Sequence, residues 1–259
     1  AVVVFLATGN ITISGLIDVS GESGKALDTT SLPSLLLNRT PSVPGPGGYP
    51  GGLGARGGVA PEAGGGPGGG PAGLQGAVWA NAGGSGAHQT IATSSSGNIG
   101  STATYGNFQL TPMFGGSGGG GGWGTAANMV GGTGGAGGGA IRIVSTTSIT
   151  FNGNPNIFAN GGSGATVSGP NAGNYGGAGA GGSIHIIAPS IVNVPYLVAL
   201  GAVVSPLGRT GGAGYIRVST NTTNVNLGGT QPAAILGPLY APPLPTASPL
   251  PAVRIVSVN

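Results

Sequence analysis

Residues 140–145 read Ala140-Ile-Arg-Ile-Val-Ser145, and this phrase recurs three more times along the chain. The other copies are Ser183-Ile-His-Ile-Ile-Ala188, Tyr215-Ile-Arg-Val-Ser219 and Ala252-Val-Arg-Ile-Val-Ser257. Each of the first three copies follows a run rich in glycine. Short segments that are rich in β-branched residues and bounded by glycine are typical of β-strands. The phrase therefore predicts four equivalent strands.

The repeat extends beyond the phrase to two further strands. Residues 141–164 align with residues 3–24 when two residues are gapped, and each copy contains a second strand, Ile11-Thr-Ile13 or Ile149-Thr-Phe151. A looser copy covers residues 184–201, and a shortened copy contains residues 216–218 and 225–228. Three short strands that recur after tight corners are the pattern of a coil in a parallel β-helix, because stacked coils bury an apolar column together. We predict an all-β fold, a short parallel β-helix or solenoid of three-stranded coils, with a β-sandwich fibre subunit as the alternative.

The chain divides into five regions by composition. We predict a first β rung at residues 1–24, a Gly/Pro-rich insertion at 25–139, a β repeat region at 140–230, a Pro-rich linker at 231–251 and a C-terminal strand at 252–259. From residue 45 to residue 72, Gly or Ala occupies every third position. That spacing suits an extended helix of the polyproline II type, which has three residues per turn. We expect the second glycine run, residues 115–124, to pack beside it.

Composition favours an ordered protein that works in an assembly. The 60 glycines and 21 prolines among 259 residues would suit disorder, but 39% of the residues are hydrophobic and only 4% are charged, whereas disordered chains are charged and poor in apolar residues. So low a charge promotes association of a freely diffusing protein. The net charge of +3 comes from cations spread along the whole chain, which excludes the basic patch of a nucleic-acid-binding protein. The cations are Lys25, Arg39, Arg56, Arg142, Arg209, Arg217 and Arg254.

Few side chains could carry chemistry. The acids and histidines are Asp18, Glu22, Asp28, Glu62, His88 and His185. Catalysis needs such groups to converge in a pocket, and four acids with no cysteine offer no recognisable catalytic, metal or cofactor motif. We predict that the protein is not an enzyme, and we interpret Asp18, Glu22 and Asp28 as solvated acids in turns. His185 stands where the other phrases have Arg142 and Arg217, which predicts a solvent-facing position.

The phrase in its context resembles a known class of repeats. A glycine run precedes Ile141-Arg-Ile-Val144, which is followed by Ser148-Ile-Thr-Phe-Asn-Gly153 and Ile157-Phe-Ala-Asn-Gly-Gly162. This order resembles the glycine-rich repeat regions of large bacterial secreted and cell-surface proteins. The resemblance implies a parallel β-helix and a role as an adhesin or matrix component. The start at Ala1 suits a mature product after removal of a signal peptide, so we expect an extracellular or cell-surface location.

These observations lead to a prediction of function. The C-terminal copy of the phrase has no glycine run before it and follows a proline-rich stretch. An unaccompanied strand is a pairing hazard unless it adds to a sheet edge. We predict a self-associating subunit of an extracellular filament or surface layer, in which this strand inserts into the next copy. The alternative is that the strand caps the solenoid of its own chain. The predicted self-association residues are Ala252, Val253, Arg254, Ile255, Val256, Ser257 and Val258.

The sequence also bears on glycans, cofactors and membranes as partners. The alternative function is a surface adhesin or carbohydrate-binding module that contacts surface glycans. No cofactor is expected. The longest apolar stretch, residues 184–204, is interrupted by His185, Pro189, Asn193 and Pro195, so we expect no membrane span. Sequons at Asn10, Asn38 and Asn221 would matter only in a host that glycosylates secreted chains.

Overall fold

A computed structural model describes most of the chain. The described residues are 1–25, 27–28 (backbone), 40–56, 59–75, 81–93, 100–124, 130–153, 155–168, 174–204, 209–223 and 225–239. Within them the protein is all-β and contains no helix. The strands are β1 (Val3–Ala7), β2 (Ile11–Ile13), β3 (Ile17–Asp18), β4 (Leu27–Asp28), β5 (Ala140–Ser145), β6 (Ser148–Phe151), β7 (Asn156–Phe158), β8 (Val167–Ser168), β9 (Ser183–Ile187), β10 (Ser190–Val192), β11 (Tyr196–Val198), β12 (Val203–Val204), β13 (Arg209–Thr210), β14 (Tyr215–Ser219), β15 (Thr230–Gln231) and β16 (Ile235–Gly237).

Three parallel sheets contain the repeated strands. Sheet A has the order β1-β5-β9-β14-β16, sheet B the order β10-β6-β2 and sheet C the order β15-β11-β7-β3. In the first three copies of the repeat the chain visits A, B and C in turn, so each strand pairs with its counterpart from another copy; after β14 it passes to β15 in sheet C and β16 in sheet A. All these pairings are parallel, and β12 with β13 form the antiparallel ladder of the described residues. An antiparallel β-sandwich, the alternative architecture, does not fit these sheets.

The register confirms the alignment of the repeats. In sheet A, Val3 is opposite Ile141, and Ile184 continues the same row. In sheet B, Ile11 is opposite Ile149, so the paired residues are separated along the chain by the same number of residues as in sheet A. In sheet C, Ile17 is opposite Ile157, two residues further along. The two-residue gap required by the sequence alignment therefore falls between β2 and β3.

Aliphatic side chains from all three sheets form the core. Ile143, Ile149, Ile157, Ile186 and Leu197 are completely buried and belong to one hydrophobic cluster. Because strand side chains alternate between the two faces, every second residue of β5 and β9 faces this interior. Burial of each aliphatic side chain stabilises the fold by about 1.5–3 kcal/mol. The apolar column therefore holds the three sheets together.

Two predictions for the C-terminal part need correction. Residues 225–228 form no strand, and the third strand of the last repeat is β15, which pairs with β11. Within the predicted linker at 231–251, Ile235–Gly237 forms β16 and pairs with β14. The reason is the spacing of prolines: none lies between Pro232 and Pro238, which leaves room for a short edge strand. The rest of that linker from residue 240, and the predicted strand at 252–259, lie outside the described residues.

The glycine runs pack against one another as extended segments joined by backbone hydrogen bonds, apart from the aliphatic core. Residues 115–124 donate backbone hydrogen bonds at three-residue intervals: Gly116, Gly119 and Gly122 bond to Gly138, Gly135 and Gly132, at 2.7–2.9 Å. The same segment bonds to residues 49–55, 62–65, 70–73, 81–84 and 174–180. Six extended segments thus surround it. The spacing matches three residues per turn, and the second glycine run does pack beside the first, as the sequence predicted.

This packing requires glycine at most of its positions. A Cβ atom at Gly119, Gly134 or Gly177 would lie closer than 3.0 Å to a backbone carbonyl of a neighbouring segment. The absent side chains let the backbones approach closely enough to bond in three directions. Hydrogen bonds therefore satisfy buried peptide groups in a region without strands or an aliphatic core.

Candidate self-association surface

The first three strands leave one end of the sheets uncovered. Among the described residues β1, β2 and β3 are each paired on one side only, with β5, β6 and β7. Val4, Phe5 and Leu6 of β1 are 55%, 48% and 63% exposed. An edge strand presents unpaired N–H and C=O groups, and an exposed apolar one is a site for pairing with another chain. This end therefore has the properties of an association surface.

An apolar cavity of about 320 Å³ opens at this end. Phe5, Ile11, Ile13 and Ile17 line it together with Leu6, Ala7 and Ile143. Their counterparts one repeat deeper, including Ile149, Phe151 and Ile157, are at most 1% exposed. The cavity is therefore the continuation of the hydrophobic core at a point that no further strand of the described residues covers. We call β1–β3 and this cavity the open end.

The opposite end of the sheets also finishes in edge strands, β16, β10 and β15, but the core is covered there: Ile216 and Ile191 are 2% and 4% exposed. There β16 pairs with β14 in sheet A, and β15 pairs with β11 in sheet C. Leu227 and Ala234 are partly buried against the core. The two ends are thus different surfaces. A contact that joins one to the other is heterologous, and it forms a filament when it does not close into a ring.

The outer face of sheet A carries a row of basic side chains under a loop. Arg142, His185 and Arg217 are opposite one another in the register. Arg142 Nη2 donates to the carbonyl of Leu110 at 2.6 Å, and Arg217 Nη1 donates to that of Phe108 at 2.9 Å. The two arginines thus fix residues 108–110 over the strands. This loop belongs to the glycine-rich insertion, so the insertion packs on the outside of the sheet.

His185 is buried, which corrects the expectation that it faces solvent. It is 5% exposed, and Ser219 Oγ lies 3.2 Å from its Nε2. Burial, followed by the charges of Arg142 and Arg217, lowers the pKa of His185 to about 3. The loop that the two arginines fix covers this face, and no local pattern around residue 185 predicts that cover. The histidine is neutral at ordinary pH and fits between two cations for that reason.

His88 lies at a second buried site, among aromatic rings. Its ring centroid is 4.6 Å from that of Tyr105 and 5.0 Å from that of Tyr215. Nδ1 donates to the carbonyl of Gly181 at 2.7 Å, which assigns the proton to Nδ1. Burial lowers the pKa of His88 to about 4. Burial also raises the pKa of Tyr105, so this cluster is uncharged and joins the insertion to sheet A.

Asp18 and Glu22 make separate local contacts with backbone amides. Asp18 Oδ1 accepts from the amide of Ser20 at 2.8 Å, and Glu22 Oε2 accepts from that of Val43 at 3.2 Å. No group of three or more acids, histidines or cysteines that could hold a metal ion occurs in the described ranges. The predicted self-association residues, Ala252 to Val258, lie outside them.

Sequence reasoning missed the open end, although β1 carries a signal for it. In β5, inward isoleucines alternate with Arg142 and Val144 on the outer face. In β1 the corresponding outer positions are Val4 and Leu6, so the strand is apolar on both faces. A strand that is apolar on both faces is expected to be covered on both. Val4 and Leu6 are exposed instead, so the outer face of β1 is apolar but is not packed against anything in the described residues.

Comparisons with known proteins add no relative. No protein-family model, no curated protein and no solved structure matches the chain. In the part of the chain that the structure describes, no helix is long and apolar enough to cross a membrane.

Proposed function

We propose that this protein is a structural subunit of an extracellular filament or surface layer. In this proposal its three sheets form a short parallel β-helix with a glycine-rich insertion, and subunits join when the C-terminal strand of one chain adds to the next. No catalytic step is part of the proposal.

The open end is the observation that carries the proposal. An apolar cavity of about 320 Å³ beside three edge strands is a surface that water solvates poorly. Covering apolar area contributes about 25 cal/mol per Å², and strand addition satisfies the edge hydrogen bonds at the same time. The different character of the opposite end supports association in a chain of like subunits.

The glycine packing supports a mechanical role. It joins the insertion to the sheets through backbone hydrogen bonds such as Ser183 N–H of β9 to Gly139 O at 2.9 Å and Gly139 N–H to the carbonyl of Val19, which follows β3, at 2.7 Å. Such bonds are buried and do not depend on ionisation. A framework of this kind tolerates changes of salt and pH that would weaken a framework of ion pairs.

Two measurements test the proposal. The full chain at increasing concentration is examined by light scattering and electron microscopy, and we expect filaments or sheets that a chain lacking residues 252–259 does not form. The truncated chain should keep the far-ultraviolet circular dichroism of the full chain, which shows that it still folds. A full chain that stays monomeric at every concentration contradicts the proposal. If that monomer is instead retained saturably on a glycan array, the alternative of a carbohydrate-binding module replaces it.

A further inference from the structure

We infer that the open end is the acceptor for the C-terminal strand of a second copy, with residues 252–257 paired parallel to β1. The register places Val253 opposite Val3, Ile255 opposite Phe5 and Val256 opposite Leu6. This inference rests on the proposed function and adds the acceptor, the register and the direction of assembly.

The repeat itself selects sheet A for the donor. The other three copies of the phrase are β5, β9 and β14, which lie side by side in sheet A in one register. The sequence Ala252-Val-Arg-Ile-Val-Ser257 differs from that of β5 only by valine in place of Ile141. Since β5 pairs with β1 over five residues on one side, a strand of almost the same sequence suits the other side.

Of the two edges of sheet A, β1 is the better acceptor. The opposite edge is β16, which is three residues long and is followed at once by Pro238, a residue with no N–H to donate. β1 offers five residues without proline. Pairing directly with β14 would place Arg254 opposite Arg217, and like charges opposite one another destabilise a sheet. At β1 the same arginine faces Val4.

The side chains of the donor match the cavity. Side chains at alternate positions face the same side of a sheet, so Val253 and Ile255 continue the row of Ile141 and Ile143 toward the interior. There they cover the cavity wall formed by Phe5. The outer residue Val256 covers Leu6, which is 63% exposed. One strand thus covers both apolar faces of β1.

The direction of the chain favours a second copy over the same one. The last described residue, Leu239, follows β16 at the covered end. Five strands spaced by about 4.8 Å put β1 about 19 Å away at the other end of the sheet. A subunit stacked end to end presents its own β1 beside the β16 of its neighbour, so the donor only crosses the junction. The twelve residues 240–251, at about 3.1 Å each when extended, reach about 37 Å, which suffices for this crossing and also for the longer return to β1 of the same chain, the route that the doubly substituted chain below tests.

Disulfide trapping tests the register, because the chain contains no cysteine. A chain with Leu6→Cys is mixed with a chain with Val256→Cys and oxidised under assembly conditions. Facing residues of neighbouring strands fall within the 4.4–6.8 Å Cα separation that a disulfide accepts. We expect covalent dimers joined between residues 6 and 256, identified by peptide mass. The matched control pairs Leu6→Cys with Arg254→Cys, which is two residues out of register. We expect its yield of covalent dimer to be at least fivefold lower.

A chain carrying both Leu6→Cys and Val256→Cys separates the two possible acceptors. A ladder of covalent multimers supports donation to a second copy, and a bond confined within one chain overturns it. Filaments that depend on residues 252–259 but form no bond between residues 6 and 256 overturn this acceptor and leave the proposed function standing. Absence of any assembly by the unmodified chain refutes the proposed function itself.

Phe5→Lys tests the cavity without cysteine. It places a charge in the apolar wall, and we expect the concentration needed for assembly to rise at least tenfold. Leu16→Lys is the matched control, because Leu16 is 60% exposed but does not line the cavity. Both variants should keep the thermal unfolding midpoint of the truncated chain within a few degrees. Equal effects of the two lysines on assembly overturn the inference.

Discussion

Replacement of Gly120 by alanine tests whether the glycine packing stabilises the folded chain. Gly120 lies in the central segment, donates to the carbonyl of Gly84 at 2.9 Å and accepts from the amide of Gly177 at 2.8 Å. A Cβ atom on Gly120 would lie closer than 3.0 Å to the carbonyl of Pro71. The added methyl group therefore has no space unless residues 70–73 move away from the central segment.

The cost follows from the bonds that this movement would lengthen. Residues 70–73 are held by Gly70 N–H to Gly118 O at 2.9 Å, Gly73 N–H to Gly121 O at 2.9 Å and Gly84 N–H to Pro71 O at 2.8 Å. Three buried hydrogen bonds at about 1 kcal/mol each come to about 3 kcal/mol, and steric strain adds to this. Alanine also restricts the unfolded chain, which offsets about 0.4–1 kcal/mol. We expect a net loss of about 3 kcal/mol in the free energy of unfolding.

Thermal unfolding followed by circular dichroism measures this loss. For a chain of this size about 3 kcal/mol lowers the midpoint by about 6–12 °C. Gly15→Ala is the matched control, because Gly15 is exposed and nothing lies within 4 Å of its added Cβ atom. That variant should unfold at or slightly above the midpoint of the original chain. If Gly120→Ala unfolds within 2 °C of Gly15→Ala, the glycine packing does not stabilise the protein as argued.

Three further predictions concern acid, hydrogen exchange and the outer loop. Burial holds the pKa values of His88 and His185 at about 4 and 3, below their ordinary 6.5. Below pH 6.5 the histidines of the unfolded chain take up protons that the buried rings cannot, so the free energy of unfolding falls as the pH drops. The loss at pH 5 is about 2 kcal/mol for each histidine. Denaturant titrations at pH 7 and pH 5 measure it, and equal midpoints would contradict the burial of both rings. Amides of residues 116–122 should exchange as slowly as those of β9, although they belong to no strand; exchange within seconds would show that their hydrogen bonds do not persist. Arg142→Met removes the bond to Leu110, so chymotrypsin should cut the loop after Leu110 at least fivefold faster, whereas Lys25→Met should leave the rate unchanged.

The sequence determined the strands and their register. β-branched triplets and phrases bounded by glycine identify β1, β2, β5 and β9, and internal alignment alone pairs Val3 with Ile141. It succeeded because each copy of the repeat must place its apolar side chains in the same column. A shift by one residue would turn them all to the outer face.

Tertiary structure alone decided where the insertion goes. The sequence indicates a period of three residues at 45–72 and a second glycine run at 115–124 that packs beside it, but glycine carries no side chain that could specify a partner. The six neighbouring segments are selected by backbone hydrogen bonds and close approach, which leave no pattern in the sequence beyond glycine itself. The burial of His185 under residues 108–110 has the same origin. A local phrase predicted exposure, and a segment more than 70 residues away covers it.

The open end shows the same division between sequence and structure. Apolar residues at both inner and outer positions of β1 were visible in the sequence, yet they read equally well as a buried strand. Only the arrangement of the sheets placed β1 at an edge, with Phe5 and Leu6 exposed. The physical reason is that a sequence specifies which face of a strand is apolar, whereas burial depends on what the rest of the fold, or another molecule, places against that face.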